Sequence, residues 1–297
     1  RRMKVVYGHT DSIYVQIDDI DKALETVKEI ENVVKKKFPN VLGLAEHPVA
    51  LEFEKYYSAL GVGITKNRNA GMITWEDGMH LKKPKFTMTG FTAKRVSETK
   101  LAKEVQTTVL KMWVEQKTQT EINNYLYQTY SSVLNGDVPL KSIIKRSRLR
   151  EDRFTVKCPE CKKHFEMKEI ISMKWCDRCG TSTNEFVTLS YKRPSIGSGV
   201  AGVLYAWEHQ NIKFEDSYLF LRVEGKGKTF THPLTKEQKQ VDYFSGSRYE
   251  DFEDWRPDYL HYAEQVIKKA EPIYRAMEWD TSSIRTNRIQ RKLEEWW

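Results

Sequence analysis

The chain has 297 residues, a formal net charge of +8, and 30% charged residues. That length accommodates two domains and a sizeable core, and the positive balance favours an acidic partner such as nucleic acid. No apolar run approaches the roughly 18 residues that a membrane span needs, and the opening RRMKVVYG lacks a signal-peptide layout, which argues against a membrane or secreted protein.

Residues 3–17, MKVVYGHTDSIYVQI, read as a β-hairpin. Val5, Val6 and Tyr7 form an apolar run; beyond a polar turn, Ile13, Val15 and Ile17 alternate with Ser12, Tyr14 and Gln16. Gly8 permits a sharp turn and sets the Asp11 carboxylate near the tip. Leu24, Val27, Ile30, Val34 and Phe38 fall at helical spacing, and Pro39-Asn40 ends that helix. Strand-like runs follow at 50–57, 59–65 and 70–76. From residue 96 the character turns helical, with a long helix to about 116 capped by Ser97 and carrying Glu98 in its first turn. A second helix covers 119–134 and a third 139–149, with a cysteine segment at 155–183. Helical signal returns near 198–209, a β stretch covers Tyr218–Val223, and 224–256 is rich in loops. A long helix spans Tyr259–Met277, a charged tail occupies 281–297, and there are no internal repeats. The order predicts an α+β fold: an antiparallel sheet portion, then a mostly helical domain.

Cys158, Cys161, Cys176 and Cys179 follow C-x2-C-x14-C-x2-C. Two such knuckles place four thiolates around one tetrahedral ion, so zinc is the expected metal; a redox pair or an iron–sulfur cluster is the alternative, and His164 could compete as a ligand but the four cysteines already fill the shell. Without a secretory signal, paired CxxC also points to a reducing cytoplasm. In LEFEK at 51–55, strand alternation would put Glu52 and Glu54 on one face and Phe53 on the other, either beside a site or simply facing solvent. The start at Arg1, with strand-like sequence within five residues, suggests a fragment of something larger or a subunit initiated at Met3.

YGHTDS at 7–12 resembles motif C of family B DNA polymerases, usually YGDTDS, whose second Asp holds the catalytic metals. The resemblance implies that Asp11 binds magnesium, with Glu54 as an auxiliary carboxylate. His9 departs from the family's Asp, which implies altered metal preference or pH dependence rather than lost chemistry. TKNRNAG at 65–71 resembles the KKRYxG stretch that grips primer-template DNA; Lys66 and Arg68 remain as phosphate-binding cations, and a plain polar turn is the alternative. Gly90, Lys94 and Arg95 resemble the family's glycine-then-basic approach to the first thumb helix. YKRPSIGSGVAG at 191–202 is similar to a Pro-led thumb helix start, and 258–277 to the last thumb helix.

This resemblance implies the C-terminal part of an archaeal-type polymerase: palm over 1–88, thumb over 89–282 with a zinc-ribbon insertion near 155–183, and a tail at 283–297. In the tail, Gln290, Leu293, Trp296 and Trp297 resemble peptides that dock on PCNA-type sliding clamps, with Leu293 and the tryptophans as an apolar plug; otherwise these tryptophans fold back on the thumb. Implied partners are primer-template DNA and dNTPs, a sliding clamp, and an N-terminal polymerase portion or subunit, because SLYPSI-like and KxxxNSxYG-like sequences are absent here. A nucleoid-associated location follows. The rival reading is a non-catalytic, clamp-tethered DNA-binding module from a degenerate polymerase.

Overall fold

The structure, a computed structural model, describes residues 4–9, 12–65, 67–95, 97–148, 154–186, 188–191, 217–224, 229–231, 238–240 and 242–288. Two compact units are present: Arg1–Phe91 with Gln106–Asn124 and Ala270–Trp297, and Thr92–Val105 with Tyr125–Lys269.

In the first unit, β1 (Val5–His9) and β2 (Ser12–Val15) form an antiparallel hairpin. Helix α1 (Ile20–Lys37) starts at Asp19, whose carboxylate accepts the Asp21 N–H, and ends in Lys35, Lys36 and Lys37, which complement the helix dipole. Strands β3 (Lys55–Val62), β4 (Asn69–Glu76) and β5 (Met79–Thr89) make an antiparallel sheet in that order, and central β4 buries Ala70, Ile73 and Trp75. One strand therefore replaces the two runs expected at 50–57 and 59–65. Glu52 and Glu54 precede it, so strand alternation does not place them; Phe53 instead packs on Trp75 with ring centroids 4.7 Å apart. Strand β5 was not expected, although its signal is in the sequence. Asp77 (φ 51°) and Gly78 (φ 82°) form the left-handed two-residue turn that matches the twist of a hairpin.

Helices α2 (Lys100–Val114) and α3 (Gln119–Leu134) each carry residues of both units. Buried Ile122, Leu126, Tyr130 and Val133 recur at helical spacing along α3, which explains why its bounds were legible. The α2 cap is Thr99 rather than Ser97: its hydroxyl accepts the Ala102 N–H at 3.1 Å, three residues on, as an N-cap requires.

In the second unit, α4 (Leu140–Ile143) is a single turn and β6 (Lys145–Arg148) follows, where a helix over 139–149 was expected. Ile143 and Ile144 are both buried, and the backbone after them is satisfied by pairing with β10 (Ser217–Arg222). Tertiary pairing overrides local propensity here. The ribbon segment forms a sheet of order β8-β7-β9 from β7 (Phe154–Lys157), β8 (His164–Glu166) and β9 (Thr188–Tyr191), with α5 (Met167–Ser172) after β8. Its third strand thus lies beyond residue 183. The stretch expected to be loops holds a small β11 (Thr229–Thr231)–β12 (Gln238–Gln240) pair and β13 (Tyr243–Gly246), which completes the sheet β13-β10-β6. The helical signal at 198–209 and the Pro-led start at 192–202 lie outside the described residues.

Helix α6 (Tyr259–Ala276) again carries residues of both units. Residues 282–286, expected in the tail, form α7 (Ser282–Thr286) with Ser283 and Ile284 buried. Among the described residues, no helix is long and apolar enough to cross a membrane.

Candidate active site and metal centre

The β1–β2 ladder pairs Tyr7 with Tyr14, Gly8 with Ile13 and His9 with Ser12. The backbone on both sides of the acidic turn is thus held in register; Asp11 and Lys66 lie outside the described residues. The covered face of the hairpin is its tyrosine face. Tyr7 meets Tyr14 edge-on at 5.1 Å, and Tyr14 meets Tyr57 of β3 at 5.9 Å. Tyr56 Oη donates to the Ile17 carbonyl at 3.2 Å, tying the end of the hairpin to the same strand. Val5 and Ile13 are left 59% exposed. Burial, with Tyr14 alongside and the charges of Glu76 and Glu54 nearby, pushes the Tyr57 hydroxyl up from its usual range. Tyr57 is therefore a neutral prop under the hairpin.

A turn between β3 and β4 adjoins the hairpin. Gly63 N–H donates to the Arg68 carbonyl at 2.9 Å, and Asn67 takes a left-handed conformation (φ 61°). Tyr7 Oη reaches Asn67 Oδ1 at 3.4 Å. The Asn67 carbonyl in turn lies against Gly90, where a Cβ would fall 1.9 Å from its oxygen. Arg68, half-buried, has no carboxylate partner among the described residues, whereas Asn69 is buried in β4. Hairpin and turn, some 60 residues apart in sequence, are thus brought together by Tyr7 and Asn67. Sequence reasoning missed both, because side-chain contacts at that separation leave no local pattern. Glu54 is exposed ahead of β3.

Lys94 and Arg95 belong to the second unit, on a 3-10 turn (Thr92–Lys94) closed by Arg95 N–H to the Thr92 carbonyl at 2.9 Å. Both are exposed and lack a carboxylate partner among the described residues. The turn is fastened from below: buried Lys269 donates to Thr92 Oγ1 at 3.0 Å and pairs with Glu98, which also faces Lys145 at 3.6 Å. Burial alone would raise the Glu98 carboxyl, but the two lysines outweigh it and hold it below the usual carboxylate range. Three cations that the sequence singled out (Arg68, Lys94 and Arg95) thus have no carboxylate partner among the described residues.

The four cysteine sulfurs lie within 4.8 Å of one another, with Cys158–Cys179 at 3.5 Å and Cys161–Cys176 at 3.6 Å. A tetrahedral ion about 2.3 Å from each sulfur sets them about 3.8 Å apart, so the cluster fits a closed zinc site. The two knuckles share one backbone design. Cys158 N–H donates to the Lys163 carbonyl and Lys162 N–H to the Cys158 carbonyl; Cys176 N–H donates to the Thr181 carbonyl and Gly180 N–H to the Cys176 carbonyl. Lys162 (φ 62°) and Gly180 (φ 77°) take the same left-handed position in each. The Thr181 hydroxyl and N–H pull the Cys179 thiol down to about 6. At Cys161 the Lys163 amide acts downward, but burial and the neighbouring sulfurs prevail and hold it at about 11. Phe165, Ile170, Met173 and Phe186 pack around the sulfurs as a small core. His164 points to Thr155 Oγ1 at 3.1 Å and is not part of the sulfur cluster.

The fold, mixed α/β with antiparallel sheets, resembles that of the family B DNA polymerase from the hyperthermophilic archaeon Pyrobaculum calidifontis. The TM-score is 0.51 over 91% of this chain and 26% of that one, at 19% identity, which is a likeness of fold. The family profile described as DNA polymerase family B matches residues 1–167, and the chain belongs to that family. It is 28% identical over 147 residues to the DNA polymerase zeta catalytic subunit of Arabidopsis thaliana, covering 50% of this chain and 7% of that protein. It is 27% identical over 168 residues to the DNA polymerase delta catalytic subunit of Candida albicans (56% and 15%) and 28% identical over 141 residues to a DNA polymerase of Archaeoglobus fulgidus (48% and 16%). The chain therefore spans only 7% to 16% of the length of these relatives.

Proposed function

We propose that the chain is the motif C part of the palm and the thumb of an archaeal-type family B DNA polymerase, acting in DNA replication with the remainder of the polymerase. The observation that carries the reading is the YGHTDS hairpin, held in register at His9–Ser12 and propped on Tyr57 within a segment that matches the family. Asp11 would supply one carboxylate to hold a pair of magnesium ions, which when bound would lend charge to activate the primer 3′ hydroxyl and to stabilise the departing pyrophosphate. The remaining carboxylates and the basic fingers helix come from the N-terminal portion, so the chain alone does not polymerise. Arg68, Lys94 and Arg95, with Lys66, hold phosphates of the primer-template. The cysteine cluster holds a structural zinc ion, and Gln290, Leu293, Trp296 and Trp297 dock on a sliding clamp.

The test is primer extension by the chain combined with the polypeptide that carries the other family B motifs. Asp11→Asn should abolish extension while primer-template affinity stays within about twofold, because the change removes metal-binding charge and spares the phosphate contacts. Extension near the unmodified rate would overturn the role of Asp11. No extension by the unmodified combination would favour the non-catalytic DNA-binding reading. The purified chain should also carry about one equivalent of zinc, lost in Cys176→Ser; iron in its place would overturn the zinc assignment.

A further inference from the structure

Trp175 is 63% exposed on the second cysteine knuckle. It is not on a loose loop. Its backbone bridges to Ser182, Cys176 N–H bonds the Thr181 carbonyl at 2.7 Å, and Thr183 N–H bonds the Lys174 carbonyl at 3.1 Å. The indole is therefore displayed from a short hairpin that the four sulfurs lock at one end.

Its surroundings identify what it receives. Lys174 just before it and Arg178 three residues after it on the same knuckle are both exposed and have no ion-pair partner among the described residues. Of the nearby acids, Asp177 is neutralised by Lys163 at 2.5 Å, which leaves Glu185 on the following turn and Glu160 on the other knuckle. Among the ribbon residues whose burial is described, Trp175 is the large hydrophobic side chain that is exposed. A protein-docking patch would be a contiguous apolar surface; an exposed aromatic plate on a knuckle that also carries two exposed cations suits a flat, anionic ligand.

We propose that Trp175, Lys174 and Arg178 form a binding site for single-stranded DNA, in which one unpaired base stacks on the indole and adjoining phosphates meet the two cations. The site is independent of the Asp11 chemistry and gives the ribbon a task beyond structural support. Stacking does not read base identity, so the site tolerates any sequence, as a template strand demands.

The test is equilibrium binding of the full-length, zinc-loaded chain to a fluorescent oligo-dT of about 12 nucleotides and to a blunt duplex, with zinc content measured alongside. Trp175→Ala should weaken oligo-dT binding about tenfold and leave duplex binding unchanged, while Trp175→Phe keeps most of the affinity. Lys174→Glu with Arg178→Glu should weaken oligo-dT binding and flatten its salt dependence. An oligonucleotide carrying 5-bromodeoxyuridine should photocrosslink to Trp175. Unchanged oligo-dT affinity in a zinc-retaining Trp175→Ala chain would overturn the site and leave a protein partner as the reading of the tryptophan. If Trp175→Ala loses its zinc, Trp175→Phe and the crosslink decide: crosslinks that all lie elsewhere overturn the proposal. Asp11→Asn should leave every one of these readings unmoved, so failure here and failure of the polymerase reading are separable.

Discussion

Gly90 is the residue on which the turn carrying Asn67 and Arg68 leans. Its φ of +75° is strained for any side chain, and a Cβ there would meet the Asn67 backbone oxygen at 1.9 Å and the Arg68 side chain at 3.1 Å. A backbone carbonyl cannot swing aside as a side-chain tip can, so Gly90→Ala must displace the turn that carries Arg68. The expected cost is about 3 kcal/mol, from overpacking together with left-handed strain, read as a lowered urea midpoint. Primer-template affinity should fall with it if Arg68 holds phosphate as proposed, because that cation moves. A variant of unchanged stability would show that the turn is not wedged as described. The position of Gly90 was legible from its resemblance to a family glycine, but its reason was not. The contact joins residues 23 positions apart through a carbonyl, which carries no side-chain signature. The same holds for Tyr7, which reads as an ordinary strand aromatic until Asn67 is seen beside it.

Asp258 joins two elements of the second unit. Its Oδ1 accepts the His261 N–H at 2.9 Å and so caps α6, while its Oδ2 takes Arg222 Nε of β10 at 2.8 Å. Arg222 N–H in turn donates to Tyr262 Oη at 2.8 Å. Burial would raise the Asp258 carboxyl, but the His261 amide and Arg222 outweigh it and hold it below the usual range. A carboxyl lowered in the folded state stabilises the fold fully above its unfolded value of about 3.9 and loses that contribution as pH falls through the folded value. Asp258→Ala should cost about 2 kcal/mol at pH 7, and Asp258→Asn about half of that because the cap survives. The gap between Asp258→Asn and the unmodified chain should narrow steadily from pH 5 to pH 2 in denaturant titrations; a constant gap would deny the ion pair. Elements of this kind were legible where periodicity was long, as in α3 and α6. They were not where neighbours decided, as for β6, whose Lys-Arg-Ser-Arg sequence becomes a strand only because β10 lies alongside. β5 is a different case, since its hairpin signal, the Asp77-Gly78 turn, is local and present in the sequence.

On the scale of the whole molecule, the question is where the fold ends and the proposed clamp-binding tail begins. In the first unit, Asn123 Oδ1 accepts from Tyr274 Oη of α6 and, at 3.4 Å, from Ser283 Oγ of α7, and Ile284 is buried beside it in sequence. Asn287, left-handed at φ 52°, donates to Asn124 Oδ1 at 3.0 Å. Among the described residues, which end at 288, the anchoring contacts thus reach Asn287, whereas Gln290, Leu293, Trp296 and Trp297 lie outside the described residues. On the clamp-docking proposal, deleting residues 289–297 should leave thermal stability and clamp-free extension unchanged, whereas deletion from 282 should destabilise the chain by removing a buried isoleucine and the Ser283 bond, at about 3 kcal/mol or more. The short deletion should abolish binding to the sliding clamp and clamp-stimulated synthesis on long templates. Trp296→Ala alone should weaken clamp binding at least about thirtyfold, since a buried aromatic anchor is worth about 2 kcal/mol or more at a hot spot. If the 289–297 deletion lowers the melting temperature instead and leaves clamp affinity untouched, the tryptophans belong to the fold and the tail has no part in docking.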